Sequence, residues 1–208
     1  MTNMIYTLQP GTAPLLVSMP HIGTDIPADL RAHYVPRALQ VEDTDWHLAR
    51  LYNFLGELGV SVLMPTTSRY VIDLNRPPDD APMYPGASNT ELCPTRFFTG
   101  EPLYLNGQAP DAAERARRRD VYWQPYHAAV GQAIDAAHAR HGYSLHVNCH
   151  SMPAVAASHA TDFPGLVHAD FVVGNRDATT SSEALARLVC EHLRGLGYQV
   201  EYNHPYKG

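Results

Sequence analysis

Short apolar runs, each closed by Gly, Pro or His, alternate along this chain with stretches whose apolar positions recur every three or four residues. Leu15–Met19 and Val60–Met64 read as buried strands, and Tyr70–Leu74 as a third. Tyr143–Cys149, Ala169–Val173 and Tyr198–Tyr202 extend the series. Between strands, Thr44–Leu58 places Leu51, Phe54, Leu55 and Leu58 on one helical face, with Gly59 as a C-terminal stop. A second helix starts near Pro110, carries Asp111 and Glu114 in its first turn and runs toward Gly142; Pro125 should kink or break it. Thr180 and Glu183 form a capping box for a third helix. Leu185, Leu188, Val189, His192, Leu193 and Leu196 give that helix an apolar face, and Gly197 ends it. Strands alternating with helices predict an α/β fold with a mainly parallel or mixed sheet. No repeat or linker divides residues 1–208, which read as one domain. The irregular, Pro- and Gly-rich segment Pro77–Pro110 has the length of a functional lid or binding loop.

Composition narrows the partners. The chain has 208 residues, 45% hydrophobic and 17% charged, ordinary for a globular domain. A net charge of -6 argues against nucleic acid or an anionic membrane as the main partner. The basic run Arg115–Arg119 reads as a solvated helix face. No apolar run approaches the roughly 20 residues of a membrane span, and the N-terminus lacks the basic start and apolar core of a signal peptide. Three widely spaced cysteines form neither a disulfide framework nor a zinc-ribbon pattern. Together these predict a cytoplasmic protein. The sequence stops just after a predicted strand, so the complete protein is expected to be longer.

Candidate chemistry gathers where strands end. His21 closes one apolar run and His150 closes another. In open α/β sheets ligands are held at strand ends, and each His has a small neighbour, Gly23 or Ser151, that lets a substrate approach. A catalytic zinc needs three protein ligands and an open position. Two imidazoles then call for a carboxylate, with Asp25, Asp43 and Asp45 as candidates; for Asp45 the plainer reading is helix capping. His47, His127 and His159 are weaker candidates.

Asn75 and Arg76 follow the third predicted strand. An Arg there can hold a carboxylate through two parallel hydrogen bonds. Arg69, on the same segment, is the candidate to stabilise an oxyanion. The loop Gly174–Thr180 leads into the third helix, and Arg176 is a candidate second contact for a dianionic substrate. Nucleophilic chemistry is less well supported. Ser18 and Ser151 lie near a His without a G-x-S-x-G elbow, and adjacent Cys149 and His150 point to opposite faces of a strand.

The segments SMPHIGTDIP, EDTDWHLARLYNF, SRYVIDLNRP, ELCPTRFFTGEPLY, HSMP, FVVGNRDATT and YNHPYKG, in this order, resemble the N-formylglutamate amidohydrolase (N-formylglutamate deformylase) family. The resemblance runs from about Leu15 to the last residue. It implies a three-layer sandwich with a mixed central sheet, similar to zinc carboxypeptidases and aspartoacylases. It implies a divalent metal, zinc first, and hydrolysis of N-formyl-L-glutamate, a small dianionic N-acyl amino acid, to formate and L-glutamate in bacterial histidine degradation. Carried over by residue, His21, Asp45 and His150 become metal ligands, and Asn75 and Arg76 bind a substrate carboxylate. The chain departs from the pattern in places. Thr24 stands where a His-x-x-Glu pair would place its carboxylate, and Asn148-Cys149 precede HSMP where an Asp-Ala-like pair is expected. The resemblance also implies a general-base glutamate on a strand beyond Gly208. Two other readings stay open: an amidohydrolase for a different N-acyl amino acid, and a non-catalytic metal- or ligand-binding relative.

Overall fold

A computed structural model describes residues 4–82, 90–156 and 165–208. The chain divides into two compact units, Met1–Ser151 and Met152–Gly208.

In the first unit, β1 (Tyr6–Gln9), β2 (Leu15–Ser18), β3 (Ser61–Pro65) and β4 (Leu145–Asn148) form a sheet of order β1-β3-β2-β4. β2 pairs in parallel with β3 and β4, and β1 runs antiparallel to β3. The sheet is therefore mixed, and the fold is α/β. β1 escaped the sequence reading because Tyr-Thr-Leu-Gln is a short, half-polar edge strand. Side chains alternate across the sheet. Leu16 and Leu63 enter one core with Tyr70, Ile72 and Tyr126, while Val17 and Val62 enter another with Leu48 and Leu55. Each such buried side chain contributes roughly 1.5–3 kcal/mol. Ser18 pairs with both Leu63 and Asn148, so the chains leaving β2 and β4 emerge side by side at one sheet edge.

A short helix, α1 (Ala28–Arg31), follows β2, and the predicted helix Thr44–Leu58 is instead two short pieces, α2 (Leu48–Leu51) and a 3-10 turn, Asn53–Gly56. His47, with φ 69°, interrupts it on the N-terminal side. Of the four apolar positions only Leu55 is buried; Leu51, Phe54 and Leu58 are 64%, 45% and 63% exposed.

Tyr70–Leu74 is not a strand. It is a series of buried turns in which side chains meet the carbonyls of Tyr70, Val71 and Leu74, while the Val71 and Asp73 N–H groups donate to the Ser68 and Leu92 carbonyls. Tyr34 Oη donates to the Tyr70 carbonyl at 2.8 Å, and Arg118 Nη1 donates to the Val71 carbonyl at 3.0 Å. Apolar composition gave this segment a strand-like appearance, but buried polar partners removed the need for a ladder. Arg118 accordingly leaves the predicted solvated face. It is among the most buried side chains, bonded also to Tyr104 Oη and Glu114.

The second helical stretch is continuous in path: α3 (Ala112–Arg118), a π-helical turn (Arg119–Trp123) and α4 (Gln124–His141). Pro125 would clash with the carbonyl four residues earlier in a regular α-helix. The wider π-turn immediately before it accommodates the ring without a break. Asp111 caps α3, accepting from the Glu114 N–H, and Gly142 ends α4 in the left-handed conformation at φ 78°.

The second unit pairs β5 (Phe171–Val173) in parallel with β6 (Val200–Tyr202), joined by α5 (Glu183–Gly195). The cap of α5 is Ser182, accepting from the Leu185 N–H, rather than the expected Thr180. Its buried positions are Ala186 and Cys190, whereas Leu188, Val189 and Leu196 are exposed, contrary to the predicted face. No helix among the described residues is long and apolar enough to cross a membrane.

Candidate metal centre

Strand register brings the two histidines together. His21 follows β2, and His150 follows β4 after Cys149, whose N–H donates to the Ser18 carbonyl at 2.8 Å. The imidazole centroids are 4.7 Å apart. The third member is chosen by the backbone: the Asp45 N–H donates to the His21 carbonyl at 2.9 Å, which fixes Asp45 beside His21. Asp45 Oδ2 then lies 3.1 Å from His150 Nδ1 and 3.8 Å from His21 Nδ1. Asp45 is not a helix cap, because that position at α2 belongs to His47. The other two carboxylates go elsewhere: Asp25 is exposed, and Asp43 accepts from the Phe98 N–H.

The donor set fits a divalent ion. His21, Asp45 and His150 can offer ligand atoms all within 4.8 Å of one another. Zinc with bonds of about 2.0–2.1 Å sets tetrahedral ligands about 3.3 Å apart, and the separations of 3.1 and 3.8 Å bracket that value. Burial, and then the charge of Arg69, push the His21 imidazole down from 6.5 to about 4, leaving it neutral at pH 7 as a ligand must be. Burial alone would raise the Asp45 carboxyl. The His150 hydrogen bond and the charges of His21, His150 and Arg69 outweigh it and hold the group below its ordinary value.

One residue of the site was missed from sequence. Asp73 is completely buried and binds His21 Nε2 through Oδ1 at 2.7 Å and Arg69 Nη2 through Oδ2 at 2.7 Å. Burial opposes its ionisation, but His21 and Arg69 more than offset this and hold the carboxyl well below the usual range. The signal was available: a carboxylate inside the apolar run Tyr-Val-Ile-Asp-Leu must be paired if it is buried. Arg69 itself faces the cluster, with Nη1 3.1 Å from His21 Nδ1 and its guanidinium 4.6 Å from the centre of the Phe98 ring.

Asn75 lies at the same edge. Its Oδ1 accepts from Asn148 Nδ2 at 3.0 Å, and it lines a cavity of ≈ 160 Å³ with Ser18, Tyr126, His127, His146 and Asn148. Arg76 is anchored to Thr90, donating to its carbonyl and hydroxyl at 3.0 and 2.7 Å. The π-turn supports this segment from behind. Trp123 Nε1 donates to the Arg76 carbonyl at 2.9 Å, and His127, stacked on Trp123, donates to the Leu74 carbonyl at 2.9 Å. That bond gives His127 a structural role, and His47 is exposed. His159 falls outside the described residues.

Gly23 is required by the protein's own backbone, since a Cβ there would lie 2.2 Å from the Thr67 carbonyl oxygen. Ser18 is buried and bonded to His146 Nε2 at 2.7 Å, away from His21, while Ser151 is exposed. Arg176 belongs to the second unit, where it is exposed and its N–H donates to the Lys207 carbonyl at 2.7 Å.

Comparison with known proteins agrees with these motifs. The sequence model of a family described as N-formylglutamate amidohydrolase matches residues 13–208. The chain is 40% identical to an N-formylglutamate deformylase of Pseudomonas aeruginosa over 206 residues, covering 98% of this chain and 75% of that protein. It is 38% identical to an N-formylglutamate deformylase of Pseudomonas putida over 212 residues, covering 99% and 76%. Among solved structures, the N-formylglutamate amidohydrolase of Ralstonia eutropha JMP134 is similar with a TM-score of 0.81 and 36% identity, covering 98% of this chain and 78% of that one.

Proposed function

Because the chain belongs to the N-formylglutamate amidohydrolase family, we propose that it is a metal-dependent amidohydrolase that cleaves N-formyl-L-glutamate to formate and L-glutamate. The observation that carries the metal dependence is the convergence of His21, Asp45 and His150 at one sheet edge. A divalent ion held by these three side chains, zinc by donor type, would acidify water and polarise the formyl carbonyl. In the reaction, water oxygen adds to the formyl carbon, the C–N bond breaks and the departing amine takes a proton.

The chain's own residues supply orientation and charge. Arg69 faces the cluster and donates to the oxygen that becomes negative in the tetrahedral transition state. Asn75 and Arg76 hold a substrate carboxylate, which suits a dianionic amino acid. Arg176 is proposed as a further contact to the substrate. The step is one of histidine degradation, and the fold is of the three-layer kind found in zinc carboxypeptidases.

The test is metal content together with formate release. Wild type is expected to hold one zinc per chain and to release formate from N-formyl-L-glutamate faster than acetate or succinate from the corresponding N-acyl glutamates. His150→Ala should lose both metal and activity. Stoichiometric zinc in that variant would remove His150 from the ligand set, and a preference for another acyl group would assign a different substrate.

A further inference from the structure

We propose that Asp73 is a positioning residue: it fixes the His21 imidazole as the Nε2–H tautomer and so directs the Nδ1 lone pair at the metal position. The inference rests on the reading of His21, Asp45 and His150 as ligands.

The argument is a hydrogen-bond count. A carboxylate only accepts and a guanidinium only donates. Asp73 Oδ1 lies 2.7 Å from His21 Nε2, so the shared hydrogen belongs to the imidazole. Arg69 Nη1 lies 3.1 Å from His21 Nδ1, so that nitrogen accepts, and an ion bound there would take over the lone pair that Arg69 now engages. Two different residues therefore require the same tautomer. The reverse tautomer would set an Nε2 lone pair against a carboxylate and an N–H against a guanidinium, among side chains that are all buried. Nδ1 is also the ring nitrogen on the Asp45 side.

The Asp73 carboxylate is itself held in place. Oδ1 also accepts the Asn75 N–H at 2.8 Å, and Oδ2 accepts Arg69 Nη2 at 2.7 Å. One buried group thereby sets the rotation of a ligand ring, the pose of Arg69 and the entry to the Asn75-Arg76 segment. Carboxylates behind ligating histidines commonly act this way, and their loss weakens metal binding by about 10–100-fold. In Asp73→Asn the amide oxygen is drawn to Arg69, which turns the amide N–H group toward His21 Nε2 and favours the opposite tautomer.

The experiment uses the full chain in two states. In metal-free wild type, the ¹⁵N spectrum of the His21 ring, assigned by its absence in His21→Gln, is expected to show a protonated Nε2 and an unprotonated Nδ1. A protonated Nδ1 there overturns the proposal. Zinc affinity, measured by chelator competition, is expected to fall about 10–100-fold in Asp73→Asn, with an unchanged far-ultraviolet spectrum. Affinity within threefold of wild type in a folded Asp73→Asn also overturns it. If that variant does not fold, the wild-type spectrum alone decides. A wild type that binds no zinc removes the ligand reading and this proposal with it, whereas normal zinc with the wrong tautomer removes only this proposal.

Discussion

Replacing Arg118 by methionine tests how the segment from Arg69 to Arg76 is held. Arg118 Nη1 donates to the buried Val71 carbonyl at 3.0 Å and to Tyr104 Oη at 2.8 Å, and Nε donates to Glu114 at 2.7 Å. Methionine keeps most of the apolar stem but none of the donors. The Val71 carbonyl would then be buried without its partner, a loss of about 1–3 kcal/mol. Tyr104 keeps its hydroxyl contact with Tyr34 at 2.8 Å, and Glu114 keeps Arg117 at 2.7 Å. Those two losses together add about 1 kcal/mol. The expected destabilisation is therefore about 2–4 kcal/mol. For a chain of this size each kcal/mol lowers Tm by roughly 2–4 °C, so a drop of about 10 °C is expected in a thermal melt followed by circular dichroism. Arg118→Lys, which can still donate to Val71, should lose about half as much. A methionine variant melting within about 2 °C of wild type would show that the buried arginine does not support this segment.

Two further outcomes follow from the site. Arg76→Ala should raise KM for N-formyl-L-glutamate about 10–100-fold, the scale of a lost charged hydrogen bond, with kcat little changed; an unaltered KM would take Arg76 out of substrate binding. The metal-free chain should lose stability on acidification from pH 6.5 to about 4, since unfolded His21 takes up a proton near 6.5 and folded His21 only near 4. The loss amounts to ~3 kcal/mol. The depressed carboxylates Asp45 and Asp73 act below their ordinary value of 3.8, outside this window. Urea midpoints at pH 7 and 4.5 should differ in wild type and less so in His21→Gln, and equal slopes in the two would contradict the assignment.

His21 and His150 were legible because each closes an apolar run, and parallel pairing of β2 with β4 places such run-ends side by side. Asp45 could not be separated from Asp25 and Asp43 by spacing. A single backbone bond, from its N–H to the His21 carbonyl, selects it, and no local pattern announces such a bond. Asp73 and Arg118 were hidden for a related reason. Each looks local, one as a break in an apolar run and the other as part of a basic run, yet its meaning lies in partners far along the chain. His21 is 52 residues from Asp73, and Val71 is 47 from Arg118. Tyr70–Leu74 has strand composition, but the distant side chains of Tyr34, Arg118 and His127 satisfy three of its carbonyls, so burial without a ladder was not readable from propensity.

The register of β4 beside β2 also has a kinetic consequence. Asp45 and His150 are separated by 105 residues, so the centre has a high contact order and cannot close until β4 has docked. A partly folded or nascent chain offers Asp45 only one of its two imidazoles and grips an ion weakly. A metal ion held at the proposed centre would act as a latch on the finished sheet: at a free concentration 100 times Kd it would stabilise the completed form by about 2.7 kcal/mol over every form with β4 detached. Chelation should therefore quicken the loss of β4 before that of β1 and β3, which hydrogen exchange along the three strands would resolve.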